Sequence, residues 1–321
     1  MGRLTSKDFC PFRFIASPFN LSNFQSMNST TIISVIGATG RLAIPVVKVL
    51  LAYGYQVRAV VRNLEKAKQS LPKEVTFAVA DVQNVPSLTR ALKGSTYVYI
   101  NLSAEENQAK SSFFLEREGV KNIVEACQAV GVQQILKIGA LGAHPSIRQP
   151  KEFYQNQTRR EGHRFIEESG IPFTIFYPTW FLDSIEWAIK KDTLQWVGKP
   201  VEFYWTNSTD YAQWVAKAVG NPTAYYQHYV VQGREKMDYE AVYQRLKAQK
   251  PSLKLQVLPL WMVKTIGFFS PTMKSLADLF AFYEGTTEDF HGQALWKELG
   301  EPSTSLEVFF EETKGINIPY L

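Results

Sequence analysis

A β-branched run at residues 31–36 enters the segment Gly37-Ala38-Thr39-Gly40-Arg41-Leu42-Ala43, and an amphipathic helical pattern follows. A strand, a glycine turn and a helix N-terminus, in that order, make a seat for a diphosphate. The first N–H groups of a helix have no partners within it, and its dipole favours an anion there. Gly37 permits the tight turn. Gly40 lets backbone approach a phosphate where a Cβ would intrude, and Ala43 is small enough for the helix to pack on the strand. A second strand follows, about twenty residues beyond the glycines, where a ribose-reading residue belongs. It ends in Val60-Val61-Arg62-Asn63. A carboxylate there would accept from a ribose 2′-OH, whereas Arg62 would attract a 2′-phosphate. The plain alternative for Arg62 is a solvated strand-end residue; with the glycine turn beside it, the pattern points to NADP(H) over NAD(H).

Such residues need a scaffold that holds them at one edge. Short apolar strands fall at 32–36, 56–61, 75–80, 96–101, 134–138 and 173–177, with helical patterns at 42–53, 64–69, 85–92, 112–130 and 152–169. This alternation predicts a parallel sheet covered on both faces. Right-handed crossovers make it an α/β, doubly wound Rossmann sheet with its ligand at the carboxyl ends of the strands. Gly54, Gly94, Gly131 and Gly170 stand where those helices should end. Beyond Pro178 the pattern changes. Trp180, Phe181, Trp187, Trp196, Phe203, Tyr204 and Trp205 crowd a short stretch. They read either as core and lid packing or as the walls of an aromatic substrate pocket. Asp210 reads as the N-cap of a helix at 210–219, 229–231 as a strand and 239–248 as a helix. The apolar region 258–283 reads as helical, and the tail from Glu301 carries no pattern that places it. The expected organisation is a leader or non-native start at 1–29, an NAD(P)-binding Rossmann domain at 30–178, and a smaller mixed α/β substrate or lid region at 179–321 packed on it.

The 321 residues are 45% hydrophobic and 20% charged, an ordinary globular composition. The net charge of +5 is spread along the chain without a basic block, so nucleic-acid binding has no footprint. Cys10 and Cys127 lie far apart and lack metal-ligand spacing, which suits a reducing, cytoplasmic setting. His144, His163, His228 and His291 form no paired metal motif. No apolar stretch is long enough to span a bilayer, and the longest candidate, 258–269, is interrupted by Lys264. Residues 1–26 are rich in Ser, Phe and Asn and lack the apolar core of a secretory signal. They are expected to be disordered, or translation begins at Met27; an organelle-targeting peptide is the other reading.

The segments Gly37 to Ala43, Val57-Arg-Ala-Val-Val-Arg62-Asn, Ala80-Asp81-Val82 and Ser169-Gly-Ile-Pro-Phe-Thr-Ile-Phe-Tyr-Pro178 together resemble the NmrA-like family. These proteins are atypical short-chain dehydrogenase/reductase relatives. The resemblance covers roughly residues 30–300 and is strongest over 30–180. It implies that Thr39, Gly40, Arg41 and Leu42 line the diphosphate and ribose, that Arg62 meets the 2′-phosphate, and that Asp81 and Val82 lie beside the adenine. It implies Asn101, Leu102 and Ser103 at the adenosine ribose and nicotinamide side. Gly139, Ala140 and Leu141 would flank the nicotinamide, with Tyr177, Pro178, Thr179 and Trp180 over its ring. Asp81 has a second reading as a residue that starts a helix, and Leu102 and Leu141 as strand-end packing.

The reaction is where the chain departs from its relatives. Catalytic short-chain dehydrogenases carry Tyr-x-x-x-Lys after the fifth strand, the lysine lowering the tyrosine pKa for proton exchange with substrate. Here Tyr154 is the candidate, but Thr158 stands four residues on. The usual serine is replaced by Ile138-Gly139-Ala140. Arg159 and Arg160 could supply charge but not a base, and Lys151 would need its loop to fold back. Two functions follow. One is an NADP(H)-dependent reductase that passes hydride to a small, quinone-like acceptor, whose proton could come from water. The other is a non-catalytic NADPH/NADP⁺ sensor acting through a protein partner. A sugar-nucleotide epimerase would also want the missing pair.

Overall fold

The computed structural model describes residues 31–102, 113–148 and 151–313. The expected leader, Ser103 and Ser112 lie outside the described residues. The strands are β1 (Ile32–Ile36), β2 (Gln56–Val61), β3 (Thr76–Val79), β4 (Tyr97–Ile100), β5 (Gln134–Ile138) and β6 (Phe173–Pro178). They continue with β7 (Ile189–Lys190), β8 (Thr193–Val197), β9 (Phe203–Tyr204), β10 (Gln227–Val231), β11 (Lys236–Met237) and β12 (Lys254–Leu258). The helices are α1 (Ala43–Ala52), α2 (Leu64–Ser70), α3 (Val85–Leu92), α4 (Val120–Val130), α5 (Tyr154–Glu167) and α6 (Leu182–Ala188). Then come α7 (Ser208–Ala218), α8 (Tyr239–Gln249), α9 (Leu260–Gly267), α10 (Pro271–Tyr283), α11 (Gln293–Leu299) and α12 (Leu306–Thr313).

Among the described residues, seven strands form one sheet in the order β10-β6-β5-β4-β1-β2-β3, and every neighbouring pair is parallel. The order reverses between β1 and β4, which opens a crevice at their carboxyl ends. Period-two alternation sends successive residues of a strand to opposite faces. Val35, Tyr99 and Phe176 pack with α1, α7 and α11 on one side. Ile36, Val98, Ile100 and Tyr177 pack with α3, α4 and α5 on the other. Both faces are buried, so the strands are apolar almost throughout. A third cluster joins Trp196, Phe203, Trp205, Tyr239 and Leu246 to Phe309 around two small sheets, β11-β9 and β12-β8-β7.

Two local readings change. The helix expected to begin at Asp210 begins earlier. Asn207 is the N-cap, its side chain accepting from the Asp210 N–H at 2.8 Å. The Asp210 carboxylate instead accepts from the Ser303 hydroxyl at 2.9 Å and the Thr304 N–H at 3.1 Å, fixing the chain after α11. The helical region 258–283 divides into α9 and α10, because Pro259 precedes one helix and Ser270-Pro271 opens the other. The two helices meet at Gly267, where a Cβ would lie 3.0 Å from the Lys274 Cα. Their connection carries Phe268 and Phe269 into solvent, 85% and 89% exposed. Among the described residues, no helix is long and apolar enough to cross a membrane.

Gln134 ties the sheet to its far edge. Its side chain donates to Thr174 Oγ1 and the Ala218 carbonyl, both at 3.0 Å, and accepts from the Gly220 N–H at 2.8 Å, fully buried. Gln134→Leu fits the volume but takes the acceptor from the Gly220 N–H and leaves the Ala218 carbonyl with the Asn221 N–H alone, at 3.2 Å. It is expected to lower unfolding free energy by roughly 2–4 kcal/mol in urea titration. A loss below about 0.5 kcal/mol, the range of an ordinary surface change, would contradict this role.

Candidate functional site

β1 delivers Gly37 in a left-handed conformation, φ +77°. A Cβ there would lie 2.1 Å from the Asn101 carbonyl oxygen, so the ends of β1 and β4 can close on each other only around glycine. The Gly37 carbonyl accepts from the Gly40 N–H at 3.0 Å, and the Gly40 carbonyl from the Ala43 and Ile44 N–H groups at 2.9 and 3.0 Å. A Cβ on Gly40 would lie 2.6 Å from Asn101 Nδ2. Gly40 therefore makes room for the Asn101 side chain, a reason beyond phosphate approach. Leu42 begins α1 without a side-chain cap, and no acidic residue stands in the first turn. The helix end keeps its positive character. Arg41 lies over the Trp187 ring of α6, 4.7 Å from its centroid.

Beside the turn, Arg62 follows the last residue of β2 and is exposed. No carboxylate pairs with it among the described residues, and Asn63 is engaged in capping α2 through the Lys66 N–H at 2.9 Å. Asp81 follows β3, exposed, and accepts from the Gln83 N–H at 2.9 Å. It does not start α3, whose N-cap is Asn84. Val82 is buried, and its carbonyl accepts from Asn122 Nδ2 at 2.9 Å. Asn101 and Leu102 are half-buried at the end of β4. Gly37, Thr39, Gly40, Arg41, Leu42, Arg62, Asp81 and Asn101 thus stand at neighbouring strand ends, and the turn has the shape and charge for a dinucleotide.

On the other side of the switch point, Gly139 and Ala140 follow β5. A Cβ on Gly139 would lie 3.1 Å from His163 and 3.2 Å from the Tyr177 ring, which accounts for glycine there. Tyr177 requires a correction. Its place in β6 turns the side chain into the core, at 0% exposure, behind Gly139. The hydroxyl meets His228 Nδ1 at 2.9 Å and His163 Nδ1 at 3.3 Å, and burial raises its pKa well above the ordinary phenol range. Only its backbone reaches the strand end with Pro178. Trp180 is packed among Trp196, Phe203 and Phe280. Most of the aromatic run is core, while Phe203 also faces a cleft.

The cationic groups near α5 are committed elsewhere. Buried Lys137 holds Glu116 at 2.7 Å, and Arg159 reaches the same carboxylate at 3.4 Å. Arg160 donates to the Gly142 carbonyl at 2.8 Å, and Lys151 to the carbonyls of Ala281 and Glu284 at 2.9 and 2.7 Å. Tyr154 is 42% exposed, with Gln155 Nε2 donating to its hydroxyl at 3.1 Å.

A narrow, partly open cleft of about 10 Å³, room for about one water, lies where β5 and β6 end. Leu141, Gly142 and Thr179 form its floor, Phe203, Phe282 and Tyr283 its walls, and Glu288 a buried polar group. Sequence reasoning missed Glu288, which belongs to no motif. It is 6% exposed. Its Oε1 accepts from Gln232 Nε2 at 2.5 Å. Burial pushes its pKa up to about 7. Gln232, the Thr179 hydroxyl, the Tyr204 N–H and the charge of Lys236 pull the other way. The hydroxyl and the N–H act on the carboxyl as hydrogen-bond donors.

A doubly wound parallel sheet with a glycine turn at its switch point defines a dinucleotide-binding Rossmann protein. The chain belongs to the NAD(P)H-binding family, whose model matches residues 37–222. It is similar to the photosystem II assembly factor Ycf39 of Cyanophora paradoxa, 28% identical over 144 residues, 45% of this chain and 44% of that protein. It is similar to quinone oxidoreductase 2 of Escherichia coli K12, 27% identical over 154 residues, 47% of this chain and 50% of the relative. The chain thus spans about half the length of these curated relatives. The crystal structure of that E. coli NADPH-dependent quinone oxidoreductase with NADPH superposes with a TM-score of 0.69 at 22% identity, over 87% of this chain and 99% of the other. The Citrobacter triphenylmethane reductase complexed with NADP(H) gives 0.71 at 18%, over 87% and 99%. At these identities the structural likeness is one of fold.

A carboxyl with a raised folded pKa favours the protonated state. Its contribution to stability is full below the ordinary 4.5 and is lost as pH rises through about 7. Glu288→Gln removes that loss. Relative to wild type, the variant should gain about 2–3 kcal/mol in unfolding free energy between pH 4.5 and 7. A variant-minus-wild-type difference that stays constant over this range would contradict the raised pKa.

Proposed function

We propose that this protein is an NADP(H)-dependent reductase that transfers hydride to a small aromatic acceptor of the quinone type. The observation that carries the reading is the glycine turn at the switch point of the sheet, with an uncapped helix start free of acidic residues and Arg62 exposed beside it. In this reading Gly37, Thr39, Gly40, Arg41 and Leu42 receive the diphosphate, and Arg62 receives the 2′-phosphate. Asp81 and Val82 border the adenine, Asn101 and Leu102 the ribose. Gly139, Ala140 and the Tyr177-Pro178 backbone border the nicotinamide. Bound NADPH supplies the hydride to an acceptor at the ends of β5 and β6. The names of the E. coli and Citrobacter neighbours, with quinone and triphenylmethane in them, support an aromatic acceptor. Free, buried Cys127 supports a reducing compartment such as the cytoplasm.

A second reading is a sensor of NADPH/NADP⁺ that engages a protein partner. Two observations favour it: the lack of a Tyr-x-x-x-Lys pair on the helix after β5, and the exposed Phe268-Phe269 connection with Trp261 and Ile266 nearby. Titration with NADPH and NADH, followed by addition of a quinone, separates the readings. Binding with oxidation of the nucleotide supports the reductase, and binding without oxidation over a panel of quinones supports the sensor. Failure to bind either nucleotide removes both.

Arg62→Ala is expected to weaken NADPH binding roughly 10–100-fold and leave NADH binding unchanged, measured by fluorescence titration. Equal affinity changes for the two nucleotides would defeat the 2′-phosphate assignment.

A further inference from the structure

We propose that the α9–α10 hairpin is a membrane-docking surface, which seats its aromatic tip in the headgroup layer of an anionic lipid bilayer. This holds whether or not the protein is a reductase. α9 is apolar on two opposite faces. Leu260, Val263 and Gly267, at i, i+3 and i+7, turn toward α10. Val263 is buried with Ala277, Leu260 packs on them, and Gly267 lies against the Lys274 backbone. Trp261, Thr265 and Phe268, at i, i+4 and i+7, fall on the opposite face, where a surface helix ordinarily carries polar residues. Trp261 is 68% exposed, and Ile266 at the edge of that face 46%. Phe268 and Phe269 are the most exposed large apolar side chains among the described residues.

The polar groups of the tip are turned inward. The Thr265 hydroxyl, on the line from Trp261 to Phe268, donates to the Trp261 carbonyl at 2.9 Å. The Phe268 and Phe269 N–H groups donate to the Thr265 and Ile266 carbonyls at 3.2 and 3.0 Å. Ser270 caps α10 by accepting from the Met273 N–H at 3.4 Å, and Pro271 has no N–H to satisfy. A medium poor in hydrogen-bond partners therefore takes this tip at little polar cost. With 8 residues, α9 is only about 12 Å long, so it lies on a bilayer and does not cross it.

Charge selects the kind of surface. Residues 250–283 hold four lysines and one acidic residue, Asp278. Lys274 pairs with Asp278 at 2.8 Å and cancels that carboxylate. Lys264 is exposed, three residues after Trp261 and four before Phe268, which makes it their neighbour on the helix surface. Lysines around an aromatic tip match anionic headgroups: the Phe rings reach the acyl boundary, Trp sits at headgroup level, and the long Lys stems keep their ammonium groups in water. A protein partner, as in the sensor reading, would compete for the same face. Two adjacent rings almost fully exposed on one turn form a wedge, a shape suited to lipid.

The test is flotation of the full chain with vesicles of phosphatidylcholine, alone or with about 30% phosphatidylglycerol, at about 0.1 M and about 0.5 M salt. Wild type should bind the anionic vesicles, more weakly at the higher salt, and bind the neutral ones far less. Phe268→Ser combined with Phe269→Ser should lose roughly 10–100-fold in vesicle affinity. Lys264→Glu should lose roughly 5–30-fold on anionic vesicles. These positions are exposed, so far-UV circular dichroism and the urea midpoint should match wild type. Tryptophan emission should shift to the blue when wild type binds, and Trp261→Phe should bind while losing most of that shift, which separates insertion of the tip from adhesion through the general positive charge. A wild type that stays off anionic vesicles overturns the proposal. So does binding that survives in the double phenylalanine variant, or equal binding to both kinds of vesicle. If wild type ignores lipid but self-associates in sedimentation, and the double variant is monomeric, the face joins protein chains and the lipid assignment fails.

Discussion

The constraint on which the site depends is the meeting of Gly37 with the Asn101 carbonyl. β1 and β4 are neighbours in the sheet, yet the chain leaves them in opposite directions, toward β2 on one side and β5 on the other. The crevice this opens has a floor only if the two strand ends approach to a distance that admits no Cβ, and Gly37 supplies that. Everything proposed for the site is measured from this floor. The N-terminus of α1 rises from it, Arg62 and Asp81 stand on the β2 and β3 side, and Gly139 and Pro178 on the β5 and β6 side. Two-sided burial of the strands keeps these ends level. A sheet packed on only one face could let them slip in register or twist apart, whereas here hydrophobic layers hold each strand from above and below.

The parallel half of the fold was legible because each strand is a short apolar run bounded by helix starts and glycine stops. Observed strand ends depart from the expected ones by a residue at most over β1 to β6. Legibility falls where one residue type serves two purposes. Asp210 looks like a cap by type, but Asn207 lies one turn earlier and takes that role, which frees Asp210 to fasten Ser303 and Thr304. The small sheets were unreadable for a different reason. β8 and β12 pair across 61 residues, as Gln195 and Gln256 do, and nothing local announces a contact so distant.

The site divides the same way. Its nucleotide side is written in consecutive residues, because a turn, a helix start and a strand end are local objects. Its acceptor side is assembled from the ends of β5 and β6, β9 and the chain after α10, so no spacing rule could reveal it. Tyr177 shows the limit of placing a side chain from a motif. The backbone lies where the resemblance implies, but strand alternation carries the ring into the core beside His163 and His228. Glu288 shows the converse, since a lone glutamate means nothing in sequence and becomes conspicuous only when its burial is seen.

The central claim is that one sheet edge holds nucleotide and acceptor side by side, with the two halves of the site meeting at the nicotinamide. A crystal structure with bound NADP⁺ tests it most directly. The account predicts the diphosphate on the turn from Gly37 to Leu42, the 2′-phosphate against Arg62, and the nicotinamide between Gly139-Ala140 and Thr179, facing the Glu288 cleft. A dinucleotide bound elsewhere, or one whose nicotinamide points away from that cleft, would contradict it.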